Sequence, residues 1–74
     1  MSMNKKTFGS NLKSWRIDRG VSQADFATMM NTSQQRVSEW ERGRCEPSLY
    51  NIIRMLEILS ISFEELVENV MPKK

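Results

Sequence analysis

The chain contains no histidine and a single cysteine, Cys45, and these two shortages exclude much chemistry. Neither a Cys/His zinc cluster nor a catalytic imidazole can be assembled from it, and no intramolecular disulfide can form. No apolar run approaches the roughly 18–20 residues that a membrane span needs. Met1-Ser2-Met3-Asn4-Lys5-Lys6 also lacks the apolar segment of a signal peptide. At 74 residues there is room for one domain with a modest core and no internal repeat, a size that excludes most enzymes. The expectation is a soluble, cytoplasmic, non-enzymatic protein with no cofactor, no metal, no membrane partner and no small-molecule ligand. Cys45 is read as an inert loop thiol, the alternative being a redox-sensitive one.

What is present is a succession of helix signals. Ser22 is a good N-cap, because its hydroxyl can accept from the free N–H groups of the next turn. Phe26, Ala27 and Met30 then fall on one face of a helix over 23–30. Asn31-Thr32 follows, and Asn tolerates the left-handed backbone of a sharp turn. Ser33 is the next N-cap, opening a helix over 34–42 whose only apolar residues are Val37 and Trp40. Such a narrow stripe leaves Gln34, Gln35, Arg36, Ser38 and Glu39 near the outside. Gly43 stands where a left-handed C-cap is wanted, and the small Ala27 lets the two helices cross closely.

Three further helices are predicted around this pair. Phe8, Leu12 and Trp15 space a helix over 6–18 that ends before Gly20. Pro47-Ser48 opens a helix with a core stripe of Leu49, Ile52, Leu56 and Leu59, flanked by Ile53 and Met55. Ser62 and Glu65 form a capping box for a last helix with Leu66, Val67 and Val70 inward. The organisation is thus an arm over 1–5, an all-α domain of five helices over 6–70, and a frayed tail over 71–74. Trp15 and Trp40 belong to core stripes, so neither is expected to stack on a ligand. The six methionines are read as gap-filling core, with Met29 part-exposed.

Net charge is only +2, but it is polarised. Residues 1–54 carry nine Lys/Arg against five Asp/Glu, and residues 55–74 carry two against four, Glu57, Glu64, Glu65 and Glu68. The part that holds the helix pair is drawn to phosphate, and the acidic part is not.

The residues Phe8-Gly9, Leu12-Lys13 and Arg16, then Gly20-Val21-Ser22-Gln23 with Phe26-Ala27, then Val37-Ser38, Trp40-Glu41-Arg42-Gly43 and Pro47-Ser48-Leu49 carry a resemblance. In order and spacing the chain resembles the lambdoid phage Cro and repressor type, the Xre-like helix-turn-helix domains, over about residues 6–70. The resemblance implies a lambda-repressor-like fold whose second motif helix enters the major groove of double-stranded DNA. It assigns Gln34, Gln35 and Glu39 to base edges, with Ser38 close enough to contribute. A Gln amide suits adenine N6 and N7, and a carboxylate suits cytosine N4. Arg36 either reads guanine or holds a phosphate, and Glu39 either reads a base or pairs with Arg36 or Arg42 on its own helix. Gln23 matches the position that holds a phosphate and braces Gln34. Arg42, Arg44 and the N–H groups near Ser48 match positions that grip the backbone. Arg16 and Glu41 match a partly buried salt bridge, and Arg16 also belongs to the implied phosphate set. Asn31 and Ser60 depart from the family pattern, standing where Gly is common, as does Thr32, where an apolar residue is usual.

The function implied is a sequence-specific transcriptional regulator of the repressor kind, working as a homodimer on a two-fold symmetric operator. Its dimer contact is placed at Ile58, Ile61 and the exposed side of the last helix. A phage-type repressor, a restriction-modification controller and an antitoxin would read alike here. The alternative is a protein-interaction module of the same fold, for example a toxin-antitoxin partner, that does not depend on DNA binding.

Overall fold

Every helix starts on a hydroxyl. In the computed structural model, which describes residues 7–70, these are α1 (Phe8–Asp18), α2 (Gln23–Met29), α3 (Gln34–Arg42), α4 (Leu49–Leu59) and α5 (Phe63–Leu66). The N-caps are Thr7, Ser22, Ser33, Ser48 and Ser62, each accepting from a backbone N–H three residues on at 3.0–3.1 Å. These bonds occupy donors that a helix start would otherwise leave unpaired. The first helix begins later than the spacing predicts, because Thr7 caps it and pairs reciprocally with Ser10. Lys6, the arm over 1–5 and the tail over 71–74 lie outside the described residues.

Helix ends repeat one device. Gly20, Asn31, Gly43 and Ser60 take positive φ of 72°, 59°, 77° and 57°. The residue after each returns its N–H five residues back: Val21 to Arg16, Thr32 to Ala27, Arg44 to Glu39 and Ile61 to Leu56, at 2.9–3.2 Å. This is the Schellman closure, and it favours glycine because a Cβ crowds the left-handed backbone. Ser60 bears that penalty without the tolerance that Asn31 has. Ser60→Gly should therefore raise stability by about 0.5–1 kcal/mol, the relief of strain exceeding the entropy that glycine adds to the unfolded chain. A thermal melt checks this, and a lowered Tm would show that the Ser60 side chain offsets its own strain.

The core is Leu12, Phe26, Ala27, Met30, Val37, Trp40, Met55, Leu59, Ile61 and Leu66. The stripes expected on α2 and α3 are in place. On α4 Ile52, Leu56 and Leu59 face the core as expected, but Met55 is fully buried among them and Leu49 is 70% exposed. Eight of the eleven α4 residues are apolar, an arc too wide for periodicity to choose a single face. Ile61 corrects a second expectation: it is only 8% exposed, being packed into the core, so it cannot supply a dimer contact. Among the described residues, the large apolar side chains left in solvent are Ile17, Met29, Leu49, Tyr50, Ile53 and Phe63.

Three α1 residues fix this helix against α3 and the end of the fold. Gly9 is buried where α1 crosses α3, and a Cβ there would stand 2.6 Å from the Trp40 carbonyl oxygen. The absence of a side chain is what lets the two backbones meet. Asn11 is buried and donates through Nδ2 to the carbonyls of Leu66 and Glu68, both at 2.9 Å. Trp15 Nε1 donates to the Glu65 carbonyl at 3.2 Å. The last carbonyls of α5 are thus satisfied from α1, which is why a helix of only four residues can close the domain.

Candidate functional site

The presentation of α3 follows from its two apolar residues. Val37 and Trp40 are 0% and 2% exposed, so the helix is pinned by one edge and Gln34, Gln35 and Arg36 stand in solvent on the other. Ser38 and Glu39 are half-buried. The α2 helix packs against α3 and puts its first residue, Gln23, beside Gln34. Gln34 Nε2 donates to Gln23 Oε1 at 3.3 Å, the bracing that the resemblance implies. What residue spacing left unseen is the next link: Gln23 Nε2 donates to Glu41 Oε1 at 3.0 Å.

Glu41 is 4% exposed at its side chain and carries the ion pair with Arg16. Arg16 Nε donates to Glu41 Oε2 at 2.6 Å, Nη2 to Oε1 at 3.1 Å, and Nη1 to the Val21 carbonyl at 2.8 Å. The bond is bidentate, the geometry in which a guanidinium and a carboxylate hold each other most firmly. Three of the five Arg16 N–H donors are engaged and the side chain is 9% exposed, an arrangement that favours joining α1 to α3 over holding a phosphate.

Glu39 is turned along its own helix. Its carboxylate lies 3.7 Å from Arg36 Nε, accepts from Gln35 Nε2 at 3.5 Å, and takes the Cys45 thiol at 3.9 Å. Of the two roles open to it, the arrangement favours pairing with Arg36 over reaching for a base. Arg42 and Arg44 are exposed and form no ion pair among the described residues. Gly43 between them ends α3, and its Schellman closure fixes the direction in which the loop leaves. The Ser48 hydroxyl is occupied by the Asn51 N–H, so what the start of α4 offers an anion is its first-turn N–H groups. Together α3, the following loop and the start of α4 make a surface of amides, guanidinium groups and free backbone donors. Such a surface can hold phosphates and exchange hydrogen bonds with base edges. Among the described residues no three His, Cys, Asp or Glu side chains gather as metal ligands. None of the helices is long and apolar enough to cross a membrane.

The comparisons with known proteins point the same way. A family model described as Helix-turn-helix matches residues 12–66. An uncharacterized HTH-type transcriptional regulator, y4dJ of Sinorhizobium fredii, is 33% identical over 63 residues, covering 85% of this chain and 82% of the relative. Among solved structures, the P22 c2 repressor in complex with a synthetic operator superposes with a TM-score of 0.79 at 25% identity, over 88% of this chain and 98% of the other. The restriction-modification controller protein C.AhdI from Aeromonas hydrophila gives 0.74 at 34% identity, over 80% and 89%.

Proposed function

This chain belongs to the helix-turn-helix family, and from that premise we propose that it is a double-stranded DNA-binding transcriptional regulator that reads the major groove with α3. The observation that carries the reading is the edge of α3 itself. Gln34, Gln35 and Arg36 stand exposed on a helix anchored by Val37 and Trp40, and the exposed Arg42 and Arg44 follow at once. Gln34 and Gln35 contact base edges, and Ser38 sits close enough to add a contact. Gln23, Arg42, Arg44 and the start of α4 at Ser48 hold the backbone. Arg36 keeps both of its roles, guanine or phosphate, and Glu39 serves chiefly to orient it.

A single domain of this size buries too little surface for strong discrimination, so the working form is a homodimer on a two-fold symmetric operator, acting as a repressor. Half-sites then lie about one helical turn apart. Selection of bound sites from a random DNA pool tests the whole reading. A two-fold symmetric motif is expected, and a pool without enrichment would leave a protein-interaction module as the better account.

Three variants separate the roles. Gln34→Ala and Gln35→Ala should each weaken operator binding by about 1–3 kcal/mol and relax preference at particular base pairs. Equal loss on operator and on random DNA would remove these residues from base reading. Arg44→Ala should weaken all sequences alike and make the slope of log affinity against log salt shallower by about one unit. An unchanged slope would take Arg44 out of the phosphate set.

A further inference from the structure

We infer that the cleft between the end of α2 and the first half of α4 is an oxyanion site, taking phosphate or carboxylate on Arg54. It is independent of the base reading proposed for α3.

The starting point is a donor without an acceptor. Arg54, in the middle of α4, donates through Nη2 to the Met29 carbonyl at the end of α2, at 3.1 Å. Its Nε is buried with no hydrogen-bond partner, the one such side-chain atom among the described residues. Buried donors are nearly always paired, because leaving one unmade costs more than a made bond gains. The charge lacks a partner as well. All nine Asp and Glu lie within the described residues, and none forms an ion pair with Arg54. The Met29 carbonyl, at a helix end, carries only part of a charge and leaves most of the guanidinium's uncompensated.

The surroundings suit an anion. Arg54 lines a cleft of about 280 Å³ with Met30, Asn31, Tyr50 and Asn51, and no carboxylate lines it. That is several times the roughly 30 Å³ that a water molecule occupies, so a phosphate or acetate has room. Tyr50 and Asn51 stand one turn before Arg54 on the same face of α4. Their hydroxyl and amide, with the Asn31 amide opposite, are further donors for an oxyanion. Held at one nitrogen, the guanidinium can turn about that contact and bring Nε–H to an oxygen in the cleft, a charge-assisted bond. The oxyanion comes either from a free small anion or from the backbone of bound DNA, which share this chemistry.

NMR of the arginine Nε–H signals tests the site on the natural protein, titrated with inorganic phosphate and with acetate against sodium chloride of equal ionic strength. The Arg54 signal should shift and saturate with half-saturation at about 1–10 mM, the strength of a few charge-assisted bonds net of association costs. The side-chain amide signals of Asn31 and Asn51 should move with it. Followed on those amides, phosphate binding should weaken about tenfold in Arg54→Lys, which keeps the charge but not the planar donors, and vanish in Arg54→Gln. Salt titrations of DNA binding separate the two sources. If backbone phosphate is the occupant, Arg54→Gln makes the slope of log affinity against log salt shallower by about one unit, and duplex DNA displaces inorganic phosphate. If a free anion is, the slope is unchanged and phosphate binds the DNA complex as it binds the free protein. Either result supports the site. An Arg54 signal that follows phosphate and chloride alike without saturating would overturn the inference, as would saturable binding undiminished in Arg54→Gln.

Discussion

Replacing Arg16 by methionine should destabilise the domain by about 3–5 kcal/mol, because it leaves the Glu41 carboxylate buried without its counter-charge. The carboxylate has almost no access to water, at 4% side-chain exposure, and would keep only the Gln23 amide as a partner. The Val21 carbonyl loses its donor in the same step. For a domain of this size the loss is a large share of total stability, which for small proteins amounts to about 0.05–0.15 kcal/mol per residue. Operator affinity should fall in parallel, since the start of α3 is braced through the same carboxylate. Replacing both partners with neutral side chains of similar volume should recover most of the loss, because the desolvation penalty of the pair is then removed along with its attraction. Urea unfolding of the single and double variants measures this directly. Normal melting with poor binding in Arg16→Met would return Arg16 to the phosphate contacts that its burial argues against.

Gly9→Ala should be nearly as damaging, at about 3 kcal/mol, and its sign is the informative part. Within an exposed helix the same change stabilises by about 1 kcal/mol, because alanine is the better helix former. Here the new Cβ would be driven into the backbone at the end of α3, with the Trp40 carbonyl oxygen 2.6 Å away and the Glu41 carbonyl also in contact. Backbone cannot turn aside as a flexible side chain would, so α1 must lift from α3, and overpacking of this kind costs about 1–3 kcal/mol or more. Lifting α1 also strains the Arg16–Glu41 pair, which spans the same crossing. The urea midpoint should fall with little change in its slope. A variant as stable as the natural chain would mean that the α1–α3 crossing can open at little cost.

The sequence carried most of the fold because the signals are local. Ser22, Ser33, Ser48 and Ser62 each announce a helix start within three residues. Gly20, Asn31 and Gly43 each mark a stop by the backbone that they can adopt. The exposed edge of α3 was legible for the same reason: with only Val37 and Trp40 apolar, one face is available to bury. On α4 local reasoning went wrong only at Leu49 and Met55, since an apolar residue stands at most positions and only contact with the other helices selects Met55 over Leu49. Arg16 was half legible. Its pairing with Glu41 follows from the resemblance, but how firmly that pairing and the Val21 carbonyl hold it follows only from seeing a bond on each nitrogen.

By itself, then, the sequence determined the five helices, four of their N-caps, the charge polarity and the residues on the exposed edge of α3, all of which depend on neighbours within about one or two turns. Tertiary structure decided the rest: the burial of Met55 rather than Leu49 on α4, the withdrawal of Ile61 into the core, the need for no side chain at Gly9, and the bonds from Asn11 to carbonyls 55 and 57 residues away. It also decided which way the amide of Gln34 faces. That orientation passes from Arg16 to Glu41 to Gln23 across three helices, and no spacing along the chain encodes which atom of an amide meets which atom of its partner.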